Sequence, residues 1–204
     1  MKIKTADIVT FAVIFILVSS ILGLYTFKDD QKGQIPENAF YYQDYLVYED
    51  QDGFFTMIFL LTNNQQIPVQ FRLDPRELST ISIDRGTVNL VQNADKIYTT
   101  FNPNEKQVGK IQVAVLEVSR LISLVNAKGP SIIESFSEDT NPITLDIPLR
   151  TCTDSTAEEL VIQFEIGNTN EIVKISDCVK VIGKDNDALI NSADRLGYAL
   201  VGIY

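Results

Sequence analysis

The sequence predicts an α+β fold in which an N-terminal transmembrane helix precedes a two-layer domain of antiparallel hairpins with two long helices on one face. Three observations predict it. An uncharged apolar run lies near the start, alternating apolar residues recur between Asn/Asp/Gly turns, and two later segments space apolar residues by three and four.

From Ile8 to Tyr25 the chain reads IVTFAVIFILVSSILGLY, without a charge. As a helix this run spans roughly 27 Å, and Thr26 and Phe27 bring it close to the ~30 Å of a bilayer core. A cleaved signal peptide would have a shorter apolar core followed by small residues, whereas bulky Leu24, Tyr25 and Phe27 stand here. The run is therefore read as an uncleaved anchor, residues 1–27. No cysteine lies near it, which excludes a lipid-modified anchor. Lys2, Lys4 and the amino terminus precede the run, and Lys28 and Lys32 follow it among Asp29 and Asp30. The positive-inside tendency places the N-terminus in the cytoplasm and the rest outside the cell membrane.

Residues 28–39 are polar, contain Gly33 and Pro36, and read as a linker. The exported domain spans 40–204, with candidate halves 40–128 and 129–204. Strands are expected at 44–49 and 54–61 around Asp50-Gln51-Asp52-Gly53, whose Asp-Gly step suits a tight hairpin. A third strand follows at 67–73. Asp74-Pro75-Arg76-Glu77 and Asn102-Pro103-Asn104-Glu105 both have the form of a helix start, with Asp74 and Asn102 as N-caps and Glu77 and Glu105 closing capping boxes. Capping also accounts for Asp74 and Glu77 more simply than a catalytic carboxylate pair does.

A strand at 96–101 leads into the helix that the second cap opens. Val108, Ile111, Val115, Val118, Ile122 and Val125 form its stripe, with Val113, Leu116 and Leu124 as a second apolar edge and water left only a strip around Lys110, Glu117 and Arg120. Further strands are expected at 131–136 and 143–149. Segments 160–166 and 171–175 read as a hairpin about Gly167-Asn168-Thr169-Asn170, and 178–182 as a third strand. The last helix, 188–201, carries Leu189, Ala193, Leu196 and Leu200 on the face that packs on its own sheet. Setting Phe59 against Phe164 also matches Leu61 with Ile166, Asn63 with Asn168 and Ile67 with Ile172, the signature of a weak internal duplication.

Composition narrows the chemistry. The chain of 204 residues has no His, so Ser-His-Asp and Cys-His nucleophiles, His general bases and most catalytic zinc sites are excluded; two Cys rule out a four-thiolate metal site. Seventeen basic residues against 27 acidic ones give a net charge of −10, which repels nucleic acid and anionic lipid. Cys152 and Cys178 read as a disulfide in an exported domain, worth about 3 kcal/mol in the chain-entropy picture. The opposite topology would leave them as reduced thiols, so bridge and orientation are linked.

The clusters Asp185-Asn186-Asp187 and Asp50/Asp52 lack the spaced ligands and closing Glu of a calcium loop and read as caps and turns. No residue is assigned a catalytic, cofactor-binding or metal-binding role. Asp194, Arg195 and Tyr198 read as a solvated or locally paired helix face. No Asn-x-Ser/Thr sequon occurs.

Residues 151–203 carry Thr151-Cys152, Gly167-Asn168, the stretch from Cys178 to Gly183, and Ala193-Asp194-Arg195-Leu196 with Tyr198. Together with FRLDPREL, KIYTTFNPNE and the anchor, this resembles an uncharacterised family of small membrane-anchored archaeal proteins of the woesearchaeal and pacearchaeal kind. The chain departs from it in Asp177 before Cys178 and in having fewer Cys in its middle region. The resemblance implies an anchor, a disulfide and an archaeal envelope, and no particular reaction.

The resulting expectation is a single-pass extracytoplasmic domain that binds a protein partner in the envelope or serves as a structural component. The alternatives are a carboxylate-dependent envelope hydrolase, which requires two carboxyl groups about 5–10 Å apart in a concave pocket, and a solute-binding module, which requires a large apolar cavity.

Overall fold

The computed structural model describes residues 36–60, 66–125, 129–139 and 147–204. Residues Ala39–Tyr204 form one compact unit. Its architecture is mixed α and β, built from two sheets and three α-helices.

The first sheet is an antiparallel meander of β1 (Phe40–Tyr42), β2 (Tyr45–Glu49), β3 (Phe55–Leu60) and β4 (Gln66–Phe71), in that order. Gln43 and Asp44, both at positive φ, make the two-residue turn between β1 and β2. Gly53 takes positive φ in the next turn, where Asp50 accepts the N–H groups of Asp52 and Phe54, as a turn-forming Asp should. Period-two alternation then sorts the sheet. Val47, Met57 and Val69, aligned across three strands, are fully buried, while Tyr41 and Ile58 point the other way into solvent.

The second sheet has six strands in the order β5-β9-β10-β8-β6-β7: β5 (Ser82–Ile83), β6 (Lys96–Phe101), β7 (Ser131–Phe136), β8 (Glu159–Ile166), β9 (Glu171–Ile175) and β10 (Cys178–Gly183). Strands β7, β6, β8 and β10 are mutually parallel, and β9 pairs antiparallel to β10. The parallel pairing of β6 and β7 follows from the helix α2 (Val108–Val125) that connects them. Consecutive buried residues Leu160, Val161 and Ile162 mark β8 as a central strand covered on both faces.

Three expectations need correction. Segments 160–166 and 171–175 do not pair with one another, because β10 lies between them. The burial of Cys178, Val179 and Val181 suits a central strand, whereas β9 ends in exposed Lys174 and Ile175 and suits the flank. The proposed duplication therefore fails at the level of topology, since the corresponding strands β3 and β4 are direct neighbours. Nor do 40–128 and 129–204 form separate halves, because β5 and β6 complete the sheet of β7–β10.

The layer count also changes. Helix α3 (Asn186–Leu200) packs on β8, β9 and β10 with one side and meets the meander with the other, where Phe71 stacks on Tyr198. The helices thus lie between two sheets, giving three layers in place of two. A short helix α1 (Arg85–Asn93), capped by Asp84, packs against α3 and β9.

The anticipated capping boxes are Asx turns. Asp74 accepts the N–H of Arg76 and Asn102 that of Asn104, while the Glu77 and Glu105 N–H groups reach only the carbonyls of Asp74 and Asn102. A single 3₁₀ turn (Glu77–Thr80) follows the first. Helix α2 starts only at Val108, after Gln107 at positive φ. Asp74 is instead held by the Arg76 guanidinium, which lies over the Phe40 ring at 3.8 Å. Capping does operate at Asp185, whose carboxylate accepts the Ala188 N–H at 2.8 Å to open α3.

No helix among the described residues is long and apolar enough to cross a membrane; the run from Ile8 to Tyr25 lies outside them. Most of the strand expected at 143–149 also lies outside, and Leu149 makes one parallel bridge to Phe136.

Candidate functional site

In its second half, helix α3 buries Ser192, Asp194 and Arg195 alongside its apolar residues. Asp194 and Arg195 are only 1% and 7% exposed, so their expected solvated face is a correction: the meander and the segment after it cover that face. Asp194 Oδ2 accepts the N–H groups of Arg72 and Leu73 at 2.9 and 3.0 Å, and the Tyr198 hydroxyl donates to the Leu73 carbonyl at 2.8 Å. Arg195 donates to the carbonyls of Ile81 and Ile203. Spaced i, i+1 and i+4, these three side chains fasten the exit of β4, the entry to β5 and the residues after α3.

Burial pushes the Asp194 carboxyl up to about 7, and the nearby Glu117 charge adds to this against the two N–H groups and Arg72. Its Oδ1 has no hydrogen-bond partner among the described residues. Burial also lowers the pKa of the Arg195 guanidinium, which pairs with no carboxylate among the described residues. Glu117 itself takes Arg72 at 2.8 Å and Arg120 at 3.0 Å, and Arg120 donates to the Gln70 carbonyl. This network ties α2 to β4.

A second group of polar residues occupies the sheet face turned away from the helices. The predicted Cys152–Cys178 disulfide is present, with Cα atoms 5.3 Å apart, and it pins the 3₁₀ turn Cys152–Asp154 over β8 and β10. Cys178, Val161 and Tyr98 align across neighbouring strands as a small separate core. Around it, Lys96 pairs with Glu159, Lys180 pairs with Glu165, and Arg150 lies over the Tyr98 ring at 4.8 Å. Gln163 bridges the Glu165 carboxylate and the Cys152 N–H.

These groups do not form the pair that a hydrolase needs. Glu159 and Glu165 lie six residues apart on one strand, roughly 20 Å, and each is matched to a lysine. Glu117 and Asp194 are close enough to influence each other, but Asp194 is shut in and lines none of the described depressions. No cluster of three metal-ligating side chains occurs among the described residues.

Three open depressions of about 360–390 Å³ lie on the surface. Two follow the β5–β9 edge and are lined by polar residues such as Thr80, Asn170 and Lys184, or Asp84 and Lys174. The third runs between α2 and β7, where Val115, Leu116 and Ile132 meet Ser119, Arg120 and Glu134. Leu116 is 66% exposed beside it and Leu124 37%, so the second apolar edge of α2 faces solvent. Among the described residues, the outer edge of β7 is bridged only at Phe136. Of the residues singled out from sequence, the structure joins Cys152 to Cys178, leaves Asp74 and Asn102 at separate turns, and describes neither Ile8 nor Tyr25.

No family model, no curated protein and no solved structure matches the chain.

Proposed function

We propose that this chain is a single-pass, membrane-anchored protein whose disulfide-bridged domain lies outside the cytoplasm and binds a protein partner in the envelope, without chemistry of its own. The observation that carries the binding role is the α2–β7 groove. Leu116 places an apolar side chain in solvent in this groove beside a sheet edge, on a chain that is otherwise strongly acidic. An apolar patch next to an edge strand suits docking of an extended or helical segment of another protein. The buried polar residues support a binding role over a catalytic one, because each oxygen or nitrogen in use at Asp194, Arg195 and Tyr198 holds backbone. The disulfide supports an oxidising location, and the resemblance to archaeal membrane-anchored proteins supports the same setting.

The test is photo-crosslinking in native membranes from position 116, with a probe at Ile175 on the far sheet face as control. A discrete protein adduct from position 116 alone, lost when Ser123→Arg is added to fill the groove, supports the reading. Equal diffuse labelling from both positions overturns it. Thiol labelling of the same membranes should find both cysteines blocked until reductant is added.

A further inference from the structure

Arg72 and Leu73 carry the chain out of the meander, and they belong to neither sheet: β4 ends at Phe71 and the next turn begins at Glu77. Neither N–H has a main-chain partner among the described residues. Both are held by one oxygen, Asp194 Oδ2, at 2.9 and 3.0 Å, and one turn further along α3 the Tyr198 hydroxyl donates to the Leu73 carbonyl. The carboxyl that makes this joint is 1% exposed, and its Oδ1 has no hydrogen-bond partner among the described residues. No cation pairs with it there. Arg72 gives its guanidinium to Glu117 at 2.8 Å, and Arg195 gives its own to the Ile81 and Ile203 carbonyls.

A carboxylate so enclosed is costly and a carboxylic acid much less so, because one oxygen of the anion would lie buried without donor, cation or water. The groups that face it set the sign. Glu117 of α2 opposes ionisation, and Arg120 of the same helix is already shared with Glu117. The Arg72 charge at the end of β4 favours ionisation, as the smallest of these influences. Tyr198 on α3 stays neutral, its hydroxyl raised far above its ordinary range by burial, and beyond it lie Tyr42 of β1 and the Asp74–Arg76 pair. We propose that Asp194 is a proton-controlled latch: protonated, it fastens the exit of the meander to α3, and release of that proton accompanies a local opening at Arg72–Leu73 while the rest of the domain stays folded. The proton passes to water or hydroxide and no other covalent bond changes. In the open joint the carboxylate and the two N–H groups meet solvent. Burial, with Glu117, raises the closed carboxyl from near 3.8 to about 7, so closure is strongest below about pH 4 and weakens as pH rises to about 7.

Because the carboxyl alone shields these two amides, their hydrogen exchange reads the latch directly. The test is residue-resolved exchange on the full chain in detergent micelles from pH 5 to 8. Arg72 and Leu73 should gain about 100-fold per pH unit up to about pH 7, tenfold from hydroxide catalysis and tenfold from the released proton, and about tenfold per unit above it. At each pH they should exchange at least about tenfold faster than Ile162 in the central strand β8, which opens only with the whole fold. Asp194→Asn keeps an acceptor oxygen without the titration and should show the tenfold slope throughout. Glu117→Gln removes the opposing charge and should move the break in slope to lower pH, which keeps the test decisive if Asp194→Asn does not fold. The proposal is overturned if Arg72 and Leu73 follow Ile162 at every pH, since no separate joint then opens. A tenfold slope in the parent chain, a steep slope that persists in Asp194→Asn, or a break that Glu117→Gln leaves in place overturns it as well.

Discussion

The rings of Phe71 and Tyr198 stack with centroids 3.7 Å apart and planes 16° from parallel, joining the last residue of β4 to α3. The contact depends on the neighbouring Gly197, since a β-carbon there would lie 2.3 Å from Leu121 Cδ1 and 3.2 Å from Phe71 Cε1. The meander, α2 and α3 thus meet around Gly197, through Phe71, Leu121 and Tyr198. Tyr198 adds a hydrogen bond to the Leu73 carbonyl.

Two substitutions separate these contributions. Tyr198→Phe keeps the stack and removes the hydrogen bond, and should destabilise the fold by about 1–2 kcal/mol in denaturant titration. Tyr198→Ala also removes the ring and should cost about 3–5 kcal/mol. Equal losses for the two would mean that the stack contributes little.

Asp194 sets a pH dependence with a defined sign. Its ordinary value is near 3.8 and burial raises it to about 7 in the fold. The folded chain therefore holds a proton that the unfolded chain releases. The associated stability is fully present below about pH 4 and is lost as pH rises to about 7, on the order of 4 kcal/mol in all. Carboxylates shifted the other way act in a different window. Burial raises Asp74, but the Arg76 contacts outweigh it and hold the carboxyl low, so that contribution is lost only on acidification. Urea titrations from pH 4.5 to 8 should show stability falling with pH, and Asp194→Asn should flatten the slope. A slope unchanged in Asp194→Asn would place the titrating group elsewhere.

The same residues mark the limit of what the sequence discloses. Elements with a strong local period were legible: β6 and β7 occur at the expected residues and α3 within two residues of expectation, while α2 keeps the expected stripe from Val108 to Val125 but starts five residues after Pro103. The apolar stripe Leu189, Ala193, Leu196 and Leu200 located one face of α3 correctly. Its opposite face is buried because a strand more than 120 residues earlier packs on it, which no local pattern encodes. The insertion of β10 between β8 and β9 is non-local in the same way. Asp74 and Asn102 misled for a local reason, since an Asx turn and a helix cap begin with the same residues and only the following backbone separates them. Helix α1 is only nine residues long, and its three apolar residues Val88, Leu90 and Val91 are too few to announce it.

Gly183 closes β10 where the chain turns into α3. A β-carbon there would lie 2.2 Å from the Leu189 nitrogen and 2.4 Å from its Cα, backbone atoms that cannot rotate away. Gly183→Ala should cost about 3 kcal/mol or more, because α3 must shift off the sheet. Gly109→Ala, on the exposed side of α2 with nothing within 4 Å, should be neutral or stabilising. Thermal melts of the two variants should move in opposite directions, and a Gly183→Ala melt equal to the parent would contradict the close approach.

The disulfide closes a separation of 26 residues and sits on the sheet face away from the helices, in a small core with Val161 and Tyr98. The main core, which runs from the meander through α2 and α3 to the inner sheet face, does not include either cysteine. Reduction should therefore lower stability without unfolding the domain, by about 3 kcal/mol on the loop-entropy estimate. Because Cys178 is fully buried and Cys152 is not, alkylation of the reduced, folded protein should modify Cys152 first. Mass spectrometry after brief labelling would check the order. Prompt modification of both thiols would indicate that the segment over β8 and β10 opens, and that the bridge, not packing, holds it on the sheet.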